Sequence, residues 1–164
     1  MVRAGGLPAD DHRGQGNISG IMQNATSAHW IRQKMKIKTI RQSISFRASP
    51  HDIYEALMDS RKHSEFTGDE ANISRKIGGK FTAGSGYIDG INIELVPDRK
   101  IVQSWRGSDW PKDHYSKATF SLKQLKGGAN LSFVQTGVPE QHYEEISQGW
   151  RDYYWIPMKE MLER

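Results

Sequence analysis

The sequence predicts an α+β domain: a curved antiparallel sheet of about six or seven strands closed on one long C-terminal helix, with two short helices after the first strand. Three observations lead there. Short apolar runs separated by hairpin turns recur about every 8–12 residues, the spacing of an antiparallel meander. Ser49-Pro50-His51-Asp52 is a helix start, with a capping serine, a first-turn proline and an early acid. From Tyr143 onward, apolar and aromatic residues repeat at steps of three and four, the period of an amphipathic helix.

Residues 1–34 are rich in Gly, Asn, Ser, Asp and Gln and sustain neither period, so they are expected to form a flexible N-terminal tail. The folded unit then covers residues 35–164 as a single domain, a size that one hydrophobic core can serve. Ile40, Ile44 and Phe46 alternate with polar neighbours as the first strand, while Met35 and Ile37 lie in the opposite phase, which calls for a bulge or a late start. After the Ser49 cap, Ile53, Ala56 and Leu57 give the first helix a short buried stripe, and Asp59 or Ser60 opens a second brief helix ending near Thr67-Gly68.

Turns at Gly78-Gly79 and Gly84-Ser85-Gly86 punctuate the next strands. Ile91, Ile93 and Leu95 share one phase of a strand, Pro97-Asp98-Arg99-Lys100 turns the chain, and Ile101 to Arg106 returns. Ala118, Phe120 and Leu122 alternate, Gly127-Gly128 turns, and Leu131 to Thr136 completes the sheet. On the last helix the expected buried stripe is Tyr143, Ile146, Trp150, Tyr153, Tyr154, Pro157 and Met161, with Trp155 off the stripe and partly exposed. Pro157 removes the bond to the Tyr153 carbonyl, so a bend is expected there.

The composition excludes several function classes. There is no cysteine, which removes disulfides, thiol catalysis and thiolate zinc sites. The net charge of +4 is mild. It is concentrated in the His29–Arg41 stretch, where Arg32, Lys34, Lys36, Lys38 and Arg41 face no acid, and beyond Met35 the signs nearly cancel. A nucleic-acid partner is not expected from that distribution. No segment has the apolar length of a membrane span or a secretory leader, so a cytoplasmic protein is expected.

Several motifs then form an ordered series. Gly78-Gly79-Lys80-Phe81 resembles a G-G-x-F motif, and Leu95-Val96-Pro97 through Ile101-Val102-Gln103-Ser104-Trp105-Arg106 is similar to an L-V-P…I-V-x-x-W-R hairpin. Trp110-Pro111 with His114 fits W-P-x-x-H, and Gly149-Trp150-Arg151-Asp152-Tyr153-Tyr154 fits G-W-x-x-Y-Y. Together they resemble the C-terminal domain of the activators of the heat-shock protein 90 ATPase, within the START-like, helix-grip (SRPBCC) superfamily that includes the birch-pollen allergen. The resemblance spans Ile40 to Leu162. It implies a helix-grip fold and a non-enzymatic cochaperone of the stress response whose partner is a heat-shock protein 90 homologue. Its alternative implication is a module holding an apolar small molecule, a lipid or aromatic metabolite, between sheet and helix.

The residues themselves supply the site candidates. Phe81, Trp105, Tyr115, Phe120, Phe133, Trp150 and Tyr154 are the expected pocket lining, and a hydroxyl facing the sheet, as on Tyr154, needs a hydrogen-bond partner. Trp110 and Pro111 read either as a plug over the sheet's end or, with His114 and Trp155, as partner contacts. Asp109, Asp113 and His114 share a loop but match no established ligand spacing, so no catalytic residue, metal or cofactor is expected. Gly84-Ser85-Gly86 leads into a strand instead of a helix, so it makes no phosphate cradle. His51 and His63 read as surface histidines, and a monomer or weak dimer is expected.

Overall fold

The computed structural model describes residues 35–164; the tail expected at residues 1–34 lies outside the described residues. Strand β1 (Ile37–Phe46) opens the domain and buries Ile40 and Phe46. Its ladder slips between Lys38 and Ile40, the bulge demanded by the opposite phase of Ile37. Helix α1 (Pro50–Met58) starts where the Ser49 hydroxyl accepts the Asp52 N–H at 3.0 Å, a cap worth about 0.5–2 kcal/mol. Asp59 ends α1 and caps helix α2 (Ser60–Thr67) by accepting the Lys62 N–H at 2.9 Å. Gly68, at φ 76°, closes α2 in the left-handed conformation.

The second cap has a consequence for His63. By restarting the helix at Asp59 it turns His63 into the interior, where the ring is almost fully buried, contrary to the surface position expected for it. Ile53, Ala56, Leu57 and Met58 from α1 and Phe66 from α2 pack beside it.

The sheet has seven strands in the order β1-β7-β6-β5-β4-β3-β2, all neighbours antiparallel, with β2 (Asn72–Ile73), β3 (Lys80–Ala83), β4 (Ile88–Val96), β5 (Lys100–Gly107), β6 (Ser116–Leu125) and β7 (Gly128–Pro139). The phase of β4 is the reverse of the one its isoleucines suggest. Ile91 and Ile93 face outward and are exposed, while Ile88, Gly90 and Asn92 face in. Asn92 is fully buried because its amide donates to the carbonyls of Ser74 and Lys76 at 2.6 and 3.0 Å, fastening the β2–β3 loop under the sheet. Gly90 must be small, since a Cβ there would strike the Ser104 carbonyl and the Phe81 ring.

Asn92 begins a row that crosses the inner face through Gln103, Ala118, Gln135 and Ile40, all buried. Its amides are satisfied in turn. Gln103 donates to Asn92 at 3.0 Å, Gln135 donates to the Ser116 hydroxyl at 2.9 Å, and Trp150 Nε1 donates to Gln135 at 2.8 Å. Buried amides cost little when paired and on the order of 1–3 kcal/mol when not.

The C-terminal helix is continuous but not uniform. After a short 3-10 turn (Glu140–His142) come helix α3 (Tyr143–Gly149), a wider π segment (Trp150–Trp155) and helix α4 (Ile156–Leu162). The Ile156 N–H bonds back to Arg151, five residues away, and Pro157 follows immediately with no N–H to offer. The helix thus answers its proline with a wide turn, which uses more residues per revolution and shifts the buried face. Trp155, expected to be partly exposed, is 3 % exposed and stacks on Trp150 at 5.5 Å. Tyr153, expected in the core, is 63 % exposed.

Candidate functional site

The helix–sheet interface has two ends of different character. At one, Phe120, Phe133, Trp150 and Trp155 meet edge to face or tilted, apart from the stacked Trp150–Trp155 pair, with centroids 4.4–6.4 Å apart. The remaining void beside Phe81, Ile101, Phe120 and Trp150 is about 10 Å³, which is at the lower limit for one water molecule. Among the described residues, Phe81, Phe120 and Phe133 therefore belong to a filled core rather than to the wall of a ligand-sized cavity, a correction to their expected role. The reason is volume: bulky rings from β6, β7 and the helix interlock across the space.

At the other end the packing opens into a cleft of about 330 Å³, at the small end of the range for ligand sites. Trp105, Trp150 and Tyr154 line it. Tyr87 and Ile88 at the start of β4 form another wall, and Tyr153, Ile146 and Glu145 complete the helix side. Asp69, in the link after α2, lies at the rim. Tyr115 is not part of it: the ring is 45 % exposed on the outer side and its hydroxyl donates to Asp89 at 2.5 Å. Its position next to Ser116 on β6 gives it the outward phase, since Ser116 takes the inward one.

Behind the cleft, Tyr154 finds the partner its hydroxyl requires. It donates to His63 Nε2 at 2.9 Å, and His63 Nδ1 in turn donates to the Leu57 carbonyl at 3.0 Å. Burial lowers the His63 pKa and raises that of Tyr154, with the Asp69 charge adding to the latter, so both groups are neutral near pH 7. Nothing in the local sequence around His63 marks this role; it follows from the Asp59 cap.

The loop between β5 and β6 closes the cleft's flank. Trp110, at 3 % exposed, packs on Trp105 at 5.3 Å and lies parallel to His142 at 6.1 Å. Arg106 fixes the loop by donating to the Trp110 carbonyl at 2.7 Å, and His114 Nε2 meets the Gly137 carbonyl at 2.7 Å. This is the plug, so Trp110 and Trp155 are corrected as partner contacts: neither presents its ring to solvent. Pro111 and His114 are half-buried. Asp109 leaves its loop neighbours Asp113 and His114 and joins His142 and Glu145, with ligand atoms of the three within 4.8 Å of one another. Tyr87 orients Asp109 by donating to it at 2.8 Å, and burial and that bond raise the Tyr87 pKa. The sequence reading missed Asp69, Tyr87 and Glu145 because they come together from three separate elements.

Comparison with known proteins adds the family context. The sequence profile described as Activator of Hsp90 ATPase homolog 1-like protein matches residues 47–163. An activator of 90 kDa heat shock protein ATPase homolog from Dictyostelium discoideum is 34% identical over 120 residues, covering 73% of this chain and 31% of that protein. The human homolog 1 is 30% identical over 128 residues, covering 77% of this chain and 38% of that protein. The chain thus spans about a third of the length of these relatives. Among solved structures, an HSP90 activator from Plasmodium falciparum superposes with a TM-score of 0.72 at 23% identity, covering 76% of this chain and 96% of that one. An Aha1 dimer from Colwellia psychrerythraea gives 0.67 at 18% identity, over 77% and 96%. At these identities the two structures attest the shared helix-grip fold.

Proposed function

The chain belongs to the Activator of Hsp90 ATPase homolog 1-like family, and on that premise we propose that it binds a heat-shock protein 90 homologue and modulates the chaperone's ATPase without being an enzyme itself. The family match over residues 47–163 carries this reading. The partner supplies the nucleotide site; this chain stabilises one of the partner's conformers and shifts its population. Tyr153, at the edge of the cleft, and Ile156 are both exposed one turn apart on the C-terminal helix, and they offer the apolar contact that the buried Trp110 and Trp155 cannot. The test is the ATPase rate of the heat-shock protein 90 homologue from the same organism, titrated with the full chain. A saturable rise is expected; a flat rate with no complex detectable by calorimetry overturns the proposal.

A second reading, a module that holds a small molecule, is favoured by one observation: the cleft of about 330 Å³ at the open end of the interface. Native mass spectrometry of the purified chain tests it, with a co-purified ligand as the supporting result and a ligand-free mass as the opposing one.

A further inference from the structure

We propose that the cleft takes an organic cation, a small molecule with an aromatic or apolar body and a protonated amine or quaternary ammonium group. This rests on the small-molecule reading and adds the ligand's charge to it.

The cleft walls are mostly aromatic: Tyr87, Trp105, Trp150, Tyr153 and Tyr154. Tryptophan and tyrosine faces carry negative quadrupole charge and attract cations lying against them. Such rings would equally suit a neutral hydrocarbon, so the decision falls to the charged groups. Among the described residues, Asp69 and Glu145 are the only charged side chains of the lining, which includes no Lys or Arg. Asp109, outside the lining, adds a carboxylate beside Glu145 and behind the Tyr87 hydroxyl. Among the described residues, neither Asp109 nor Glu145 forms an ion pair with a Lys or Arg; the one cation-forming neighbour of Glu145 is His142, whose Nδ1 lies 3.9 Å from its carboxylate and pairs with it only when protonated.

The concentration of negative charge is local. The chain as a whole carries +4, so an acidic cleft does not follow from its overall composition. The field of these carboxylates reaches the walls, since Asp69 acts on the Tyr154 hydroxyl, and Asp109 and Glu145 act on that of Tyr87. An anion would meet like charges at Asp69 and Glu145, with Asp109 behind them. A neutral ligand would displace part of the water at Asp69 and Glu145 and return at most a hydrogen bond for it. A cation repays that loss at both carboxylates and at the ring faces. A bare metal ion could use Asp109, His142 and Glu145, but it would leave the rings and the volume of the cleft unused.

Three probes of one shape and different charge test this: benzyltrimethylammonium, benzyl alcohol and benzenesulfonate, each titrated calorimetrically into the full chain. The cation is expected to bind at least about tenfold more tightly than the alcohol, and the sulfonate more weakly than either. In the double variant Asp69→Asn and Glu145→Gln the cation's advantage disappears. The urea midpoint stays unchanged, because the new amide at position 69 keeps an acceptor for the Ser85 hydroxyl and Glu145 is exposed. If the alcohol binds as well as the cation, if the sulfonate binds best, or if the double variant keeps the full preference, the charge inference is wrong while the small-molecule reading stands. If none of the three binds, both fall.

Discussion

One helix meets one sheet, yet its two ends do different things with the same residue types. Around Phe133 and Trp155 the rings interlock, and beside Phe81, Phe120 and Trp150 a void of about 10 Å³ remains, whereas at the other end Trp105, Trp150, Tyr153 and Tyr154 leave about 330 Å³. Aromatic content therefore does not distinguish core from site here. The difference is the number of walls. At the closed end β6 and β7 both present large rings to the helix, while at the open end the opposite wall is the start of β4 and a link after α2. Charge follows the same division: carboxylates line the open end, and none lines the residual void of the closed one. Trp150 belongs to both ends, stacked on Trp155 and facing the cleft, with its indole N–H fixed to Gln135.

If that division is real, substitutions should sort by end. The largest loss is expected at the closed end, where Phe133→Ala empties a fully buried position and should cost about 3–5 kcal/mol in urea unfolding. A small loss there would break the comparison. Next comes the joint between the ends: Gln135→Ala strands the Trp150 N–H, while the Ser116 hydroxyl keeps its bond to the Trp105 carbonyl, and should cost about 1–3 kcal/mol by the same measurement. His63 should then act through pH. Its folded pKa lies below the ordinary value, so the unfolded state takes up the proton first. Stability is full above pH ~6.5 and declines as pH falls below it. Comparison with His63→Gln isolates this effect, because the variant should flatten that part of the pH profile. The smallest effect is expected at the open end, where Tyr153→Ala should change stability by within about 0.5 kcal/mol. The same variant should weaken stimulation of the chaperone's ATPase, which sharpens the contrast between a residue for folding and one for binding.

Much of the fold was legible in the sequence because its signals are local. The Ser49 cap, the Asp59 restart, the Pro97 hairpin and the bulge in β1 each depend on a few neighbouring residues. Where the reading failed, the deciding atom was distant. Alternation gave the period of β4 but not its sign, and Asn92 set the sign by reaching the Ser74 and Lys76 carbonyls across the loop. The stripe on the last helix assumed ordinary α geometry, and the wide turn before Pro157 exchanged Tyr153 for Trp155. The inward positions of Trp105, Trp150 and Tyr154, which put them beside the cleft, were legible from their phases. Asp69, Tyr87 and Glu145 were not, since no pattern along the chain links a post-helix loop, a strand start and a C-terminal helix.

Four of the chain's five tryptophans form a connected series: Trp110 to Trp105 at 5.3 Å, Trp105 to Trp150 at 5.7 Å, and Trp150 to Trp155 at 5.5 Å. Indoles at such spacing do not absorb and emit as isolated dyes. Their transitions couple, which should give the near-ultraviolet circular dichroism a split band, and excitation caught by any member migrates along the series. A molecule resting against Trp105 or Trp150 would then dim light absorbed at Trp110 and Trp155 as well. The domain carries its own optical wire, running from the plug through the cleft into the core.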